Sequence, residues 1–196
     1  EKALRPDLAG LDMFDSAIGR VAAAEDPGFM RLKKADSVGP HHLLPGEWLK
    51  GAQSVFSFFL PFSERVRRSN EEGAEPSAEW LHARIEGQDF INRLSRELVK
   101  WMGEKGWSAV APAVDPGFSF CYAENNVFMD DQGAPYPVSF TSNWSERHAA
   151  FVCGLGTFGL SKGLITEKGM AGRFGSVISS APMEPDNVIP DDIYGN

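Results

Sequence analysis

The sequence predicts an α/β (α+β) domain with a central mixed sheet and flanking helices. Residues 54–60 (SVFSFFL) are aromatic and β-branched and apolar on both faces, and such a strand belongs inside a sheet that helices cover. Residues 78–104 repeat apolar side chains at helical spacing. Strands and helices are predicted in mixed order along the 196 residues, a length typical of one compact domain.

The N-terminal half is punctuated by turns and loops. Residues 11–24 begin like a helix and end as an apolar run of small residues that predicts a strand. A turn is predicted at 25–28, and residues 37–52 are interpreted as a loop because Gly-Pro and Pro-Gly pairs interrupt them. The strand at 54–60 ends at a proline, and the stretch at 63–75 is polar.

The longest predicted helix covers about 78–104. Ser77 is its expected N-cap, and Gly106 is expected to end it. Its apolar stripe, which is interpreted as core packing, consists of Leu81, Ile85, Ile91, Leu94, Leu98 and Met102.

The C-terminal half contains a second predicted buried strand at 108–114, a turn at 130–133 and a short strand at 138–141. Ser142 or Asn143 is expected to cap a helix that runs through residues 144–152 and stops at Gly154.

Two further strands, at 164–167 and 174–179, are expected to form a hairpin around a Gly-Met-Ala-Gly tip. The Pro- and Asp-rich residues 181–196 are interpreted as an extended linker.

Charge and cysteine content restrict the partners. The 19 basic and 27 acidic side chains give a net charge of −8, which makes nucleic acid an unlikely partner. No apolar stretch approaches the ~20 residues of a membrane span, so no membrane association is expected. Cys121 and Cys153 form no motif, and the four histidines lack zinc-ligand spacing, so no metal site is predicted. A reducing cytoplasm fits this cysteine usage best.

The segment Cys153 to Gly159 (CGLGTFG) is the strongest candidate for a functional site. Gly154, Gly156 and Gly159 lack a Cβ, so their backbone can take positive φ and approach a ligand closely. The formal GxGxxG pattern is not a dinucleotide fingerprint, because that motif requires a strand before it and a helix after it. Here a helix precedes and a hairpin follows. A purely structural alternative is a helix C-cap followed by a tight turn.

The surrounding residues resemble a known family. Residues 145–180 (SERHAAFVCGLGTFGLSKGLITEKGMAGRFGSVISS) resemble a stretch of epoxyqueuosine reductases and related reductive dehalogenases, in which an Ala-Gly-Leu-Gly-x-x-Gly turn follows a helix. Residues 25–62 resemble the early part of the same domain. The resemblance implies a nitroreductase-like three-layer domain at 1–180 that binds cobalamin, and a linker at 181–196 toward a ferredoxin-like domain with two [4Fe–4S] clusters.

The resemblance also implies a cofactor site and an electron path. Electrons from a donor such as ferredoxin or flavodoxin would pass through the clusters to cobalamin and then to an unknown small-molecule substrate. No catalytic residue is assigned. The residues expected to contact the cofactor are Ser142, Asn143, Gly154, Leu155, Gly156, Thr157, Phe158, Gly159 and Ser161.

This chain departs from the family pattern at three places. Phe140 stands where the reductases place an acidic residue, their proposed proton donor. Leu160 and Ser161 replace a Lys-Asn pair after the turn, and the cysteines of the ferredoxin-like domain are absent. Two alternatives therefore stay open: a non-catalytic corrinoid-binding or electron-transfer module, and a flavin-binding nitroreductase-like domain.

Three side chains near the turn have expected roles. Glu146 is expected to complement a helix N-terminus, and His148 to be solvated and to titrate near neutral pH. Cys153 is expected to be a small buried apolar residue. A Gly156→Val substitution is expected to abolish ligand binding and to leave the fold largely intact.

Overall fold

The computed structural model describes residues 8, 10–71, 73–122, 128–129, 133–136 and 140–186. Its central sheet has four strands: β1 (Ile18–Ala23), β2 (Ser54–Pro61), β3 (Ala109–Val110) and β10 (Gly172–Ser179). The strand order is β1-β2-β10-β3, and each neighbouring pair is antiparallel. The predicted α/β class with flanking helices is confirmed, whereas the strand directions of this sheet are antiparallel rather than mixed.

Five helices accompany the sheet in the described part of the chain. They are α1 (Pro27–Leu32), α2 (Pro45–Trp48), α3 (Glu64–Ser69), α4 (Ala78–Glu104) and α5 (Glu146–Val152). Three two-stranded ribbons complete the described elements: β4 (Phe120–Tyr122) with β7 (Phe140–Ser142), β5 (Phe128–Met129) with β6 (Pro135–Tyr136), and β8 (Gly156–Phe158) with β9 (Leu164–Thr166).

The central strand β2 separates two helical layers. Successive side chains of a strand point to opposite faces, so Val55 and Phe58 lie on different sides of the sheet. Val55 belongs to the core cluster that contains Trp144 and Phe151 on the α5 side. Phe58 belongs to the cluster that contains Ile91 of α4. The domain therefore has three layers, with α4 and α5 on opposite faces of the sheet.

Helix α4 has the predicted bounds and the predicted cap. The Ser77 hydroxyl accepts a hydrogen bond from the Trp80 N–H at 3.1 Å. The predicted stripe is wrong in its first half, since Leu81 and Ile85 are 42% and 61% exposed. The face buried there contains Ala83 and Gly87 instead.

Small side chains explain why α4 buries the face with Ala83 and Gly87 rather than the face with Leu81 and Ile85. A Cβ built on Gly87 would lie 2.8 Å from the Phe14 ring, so the helix approaches that ring only because residue 87 has no side chain. Hydrophobicity alone does not detect a face buried by small residues.

Other sequence predictions differ from the structure. Residues 11–17 are not helical but extended, and Phe14 forms a bridge with Phe62. The predicted strand at 108–114 shortens to β3 and a 3-10 turn at Pro112–Val114, while α3 forms in the stretch described only as polar. Most of the turn predicted at 130–133 and residues 138–139 of the predicted strand lie outside the described residues.

The described start of the predicted linker is attached to the sheet. The Asp186 N–H donates to the Val21 carbonyl at 2.9 Å, and the Asp186 carboxylate accepts from the Val21 N–H at 2.7 Å. These two bonds hold residue 186 along the outer edge of β1. The division of the chain at residue 180 stays a prediction.

Candidate functional site

The glycine-rich segment begins as the C-terminal cap of α5. Gly154 has φ of 79°, the Gly154 N–H donates to the Phe151 carbonyl, and the Leu155 N–H donates to the Ala150 carbonyl, both at 2.9 Å. This pair of bonds is the Schellman motif, which requires a left-handed residue at that point. The structural interpretation of Gly154 as a helix C-cap is confirmed.

The rest of the segment is itself a strand. Residues 156–158 form β8, which pairs with β9 in a short hairpin closed by a bond from the Gly159 N–H to the Gly163 carbonyl at 3.0 Å. The predicted hairpin between 164–167 and 174–179 is wrong, because β9 pairs back onto β8 and β10 joins the central sheet. We call residues 156–166 the glycine hairpin.

The space next to Gly156 is occupied by the chain itself and is not open to a ligand. A Cβ at this position would overlap the backbone carbonyl of Ile165, which is a rigid neighbour. The expectation that Gly156→Val leaves the fold intact is therefore wrong. At Gly159 a Cβ would meet only the flexible end of the Ile165 side chain, at 2.9 Å.

One edge of the glycine hairpin faces away from β9. Gly159 and Gly163 form a hydrogen-bonded pair, and hydrogen-bonded and non-hydrogen-bonded pairs alternate along an antiparallel ladder. The N–H and C=O groups of Gly156 and Phe158 therefore point away from β9.

The side chains of the hairpin divide between core and solvent. Leu155 and Phe158 are buried, and the Phe158 ring packs against His148 at a centroid distance of 4.7 Å. Thr157 and Ser161 are exposed, and Leu160 at the turn is fully exposed. The hairpin thus presents two hydroxyls and an apolar tip on its surface.

Ser142 and Asn143 do not cap α5, which begins after Ser145. The Ser142 hydroxyl donates to the Trp144 carbonyl at 2.7 Å. The Asn143 amide accepts from the Ser119 N–H at 3.0 Å and donates to the Gly117 carbonyl at 2.9 Å. Asn143 thus joins α5 to the loop at 117–119, and its contact with a cofactor stays a prediction.

The histidines beside α5, His42 buried and His148 half-buried, are neutral at pH 7. His148 lies 2.7 Å from the Ser145 hydroxyl through Nδ1, and burial together with the Arg147 charge lowers its pKa to about 4. His42 stacks on Trp144, and its pKa falls to about 3, mainly through burial. The expectation that His148 is solvated and titrates near neutral pH is wrong.

Glu146 is the one strongly perturbed carboxyl among the described residues. Both of its carboxylate oxygens are shielded from solvent and have no hydrogen-bond partner. Burial raises its pKa to about 7, although the nearby Ser176 hydroxyl and Trp144 indole act in the opposite direction without reaching hydrogen-bond geometry. Sequence reasoning treated Glu146 only as a complement to the helix N-terminus and missed this burial.

A groove runs between α4 and the segment at 163–173. It consists of two adjoining cavities of about 370 and 420 Å³ that share Met170, Gly172 and Arg173. We call it the arginine groove, and it is lined in part by Trp80, Arg84, Gln88, Glu146, Arg147, Met170 and Arg173. The glycine hairpin borders it, because Gly163 and Leu164 line the second cavity.

Phe140 belongs to an exposed aromatic cluster. It is 58% exposed and stacks on Phe120 at a centroid distance of 5.4 Å, while Phe118 packs on the edge of Phe120 at 5.0 Å. Beside it, the Thr141 hydroxyl lies 2.9 Å from Nε2 of His41. The position that carries an acid in the resembled family is therefore apolar here.

Cys153 is a buried thiol beneath the glycine hairpin. Cys153 is fully buried and its thiol lies 3.4 Å from the Val55 carbonyl, while burial raises its pKa. This confirms the expectation of a buried structural cysteine. Across the described ranges, no group of three or more His, Cys, Asp or Glu side chains is arranged to hold a metal ion.

The solved structures similar to this chain are epoxyqueuosine reductases. One, solved with an epoxyqueuosine-modified tRNA stem loop, has 16% identity and a TM-score of 0.46 over 92% of this chain and 44% of its own. The Streptococcus thermophilus enzyme has 15% identity and a TM-score of 0.44 over 90% of this chain and 45% of its own. The Bacillus subtilis enzyme has 14% identity and a TM-score of 0.43 over 92% of this chain and 45% of its own.

Sequence-level comparisons identify no relative, since neither a protein-family model nor a curated protein matches the chain. The chain spans less than half the length of the reductases it is similar to. The expectation against nucleic acid rests on net charge alone and stays a prediction. No helix in the described ranges is both long and apolar enough to cross a bilayer.

Proposed function

We propose that this chain is the corrinoid-binding domain of a reductase, with the glycine hairpin as its cofactor-binding surface. The observation that supports it most directly is that Thr157, Leu160 and Ser161 of the glycine hairpin are all exposed. The sequence of this segment resembles the corresponding turn of epoxyqueuosine reductases and reductive dehalogenases.

The residues on this surface fit a corrinoid in their chemistry. A corrin ring carries amide side chains that require hydrogen-bond donors and acceptors, and it has a broad apolar face. The Gly156 backbone and the Thr157 and Ser161 hydroxyls supply the polar groups. Leu160 supplies apolar surface at the tip. Bound there, the cobalt would supply the redox chemistry, and the protein would supply binding and orientation.

The iron–sulfur part of the proposed electron path does not fit these residues. A [4Fe–4S] cluster needs four cysteine thiolates, and the sequence contains Cys121 and Cys153 only. Electron delivery would therefore come from another domain or protein.

Proton delivery to a substrate needs a residue other than Phe140. An aromatic hydrocarbon ring has no proton to donate, so the acid of the resembled reductases has no equivalent at this position. The proposed substrate class thus stays open, and reduction of epoxyqueuosine itself is not part of the proposal.

The proposal is tested by titrating the protein with cob(II)alamin under anaerobic conditions and recording absorption spectra. The expected result is saturable binding with a spectral change. Leu160→Glu should weaken this binding by at least about tenfold, because a charge at the fully exposed tip opposes an apolar ligand face. Ile85→Glu, which changes another exposed apolar residue, on α4, is the control and should leave the affinity unchanged.

Two results would overturn the proposal. One is absence of any spectral change at saturating cobalamin. The other is equal weakening by both substitutions, which would show that the hairpin is not the binding surface. A yellow protein that retains flavin through purification, and binds no cobalamin, would support the flavin-binding alternative instead.

A further inference from the structure

The arginine groove concentrates positive charge on an acidic protein. Arg84, Arg147 and Arg173 line it, whereas the whole chain has a net charge of −8. None of the three makes an ion pair with another described residue. Four other arginines do make such pairs, namely Arg20, Arg65, Arg67 and Arg68.

Two of the three arginines are held in place by backbone carbonyls rather than by acids. Arg173 donates through Nη2 to the Arg84 carbonyl, and Arg147 donates through Nη1 to the Lys162 carbonyl at 3.0 Å. Carbonyl bonds orient a guanidinium and leave its full positive charge uncompensated. Arg173 also has a solvent-shielded Nε without a hydrogen-bond partner in the described structure.

The positive charges are close enough to oppose one another. Burial is the main cause that lowers the pKa of Arg173, and the charge of Arg84 adds to it. Like charges gathered together lower stability, and a bound anion would reduce that cost.

The remaining lining residues indicate which chemical group would accompany the anion in a ligand. Trp80 and Phe62 pack edge to face at 5.0 Å and form an aromatic wall at one end, and Met170 lies between the two cavities. Each cavity has the volume of a small-molecule site. The groove therefore offers an aromatic end and a cationic end to one small ligand.

We infer that the arginine groove binds a small molecule in which a phosphate monoester is attached to an aromatic or other apolar ring. Phosphate suits the groove better than carboxylate, because its charge of nearly −2 matches several guanidinium groups that bind oxyanions in bidentate fashion. The arginines of this site lie outside the glycine hairpin, although Gly163 and Leu164 of the hairpin line its second cavity.

The test uses phenyl phosphate and inorganic phosphate as probes in calorimetric titrations of the intact chain at low ionic strength. Phenyl phosphate should bind at one site, and Arg173→Gln and Arg84→Gln should each weaken it by about tenfold. Arg96→Gln removes the same charge from α4 outside the groove, about 18 Å along the helix from Arg84, and should change the affinity by less than about twofold. Trp80→Leu should weaken phenyl phosphate and leave inorganic phosphate unchanged.

Arg84→Gln keeps the test informative if Arg173→Gln fails to fold, because only the backbone of Arg84 accepts the bond from Arg173. The inference is overturned by absence of saturable phenyl phosphate binding up to about 10 mM, which corresponds to a binding energy weaker than about −3 kcal/mol. Equal weakening by Arg96→Gln would also overturn it. Binding of a single-stranded RNA oligomer with a steep salt dependence, but not of phenyl phosphate, would replace it by a nucleic-acid surface.

Discussion

Replacing the buried Glu146 by glutamine should make the protein more stable at alkaline pH. The carboxyl group has a pKa of about 7 in the folded state, against 4.5 in an unfolded chain. The folded protein therefore binds more protons than the unfolded chain between these pH values. The contribution of Glu146 to stability is present below about pH 4.5 and is lost as the pH rises through about 7.

The size of the effect follows from the rise in pKa. A rise of roughly 2.5 corresponds to about 3 kcal/mol of unfolding free energy. Glutamine keeps the shape and does not ionise, so the stability of Glu146→Gln relative to wild type should increase by about 3 kcal/mol between pH 4.5 and pH 8. Nearby groups that titrate or carry charge, namely His148, Cys153, Arg147 and Arg173, are common to both proteins and largely cancel in this difference.

The assay is urea unfolding followed by circular dichroism at several pH values between 4.5 and 8. The slope of free energy against urea should be the same for both proteins, so that only the midpoint changes. Glu97→Gln on the exposed side of α4 is the control and should give a difference that does not depend on pH. A pH-independent difference for Glu146→Gln as well would refute the conclusion that this carboxyl is buried without partners.

Two further substitutions test the packing around the hairpin. Gly156→Ala should destabilise the protein by about 2 kcal/mol or more, because the added Cβ would overlap the Ile165 carbonyl. Gly46→Ala is the control, since its Cβ would meet nothing within 4 Å, and it should change stability by less than about 1 kcal/mol. Equal urea midpoints for the two alanine variants would contradict the close approach of β8 to β9. Asn143→Ala should cost about 2 kcal/mol in the same assay, since it leaves the Ser119 N–H and the Gly117 carbonyl without their partner. Asn143→Asp should recover part of this loss, because it still accepts from Ser119, and no loss in either variant would show that the amide does not hold the loop.

The sequence alone was sufficient where a local pattern has one physical solution. The run at 54–60 predicted a buried central strand, because apolar side chains on both faces can be satisfied only inside a sheet. Ser77 predicted the start of α4, and Gly154 the end of α5, because capping depends on the residue itself and its immediate neighbours.

Only the tertiary structure decided the features that depend on distant residues. The partner of β9 is β8 rather than β10, and strand pairing depends on which edges meet in space. The role of Gly156 changed for the same reason, since Ile165 occupies the space next to it. The burial of Glu146 and the gathering of Arg84, Arg147 and Arg173 are equally invisible in sequence, because these residues lie on three separate elements that fold together into one groove.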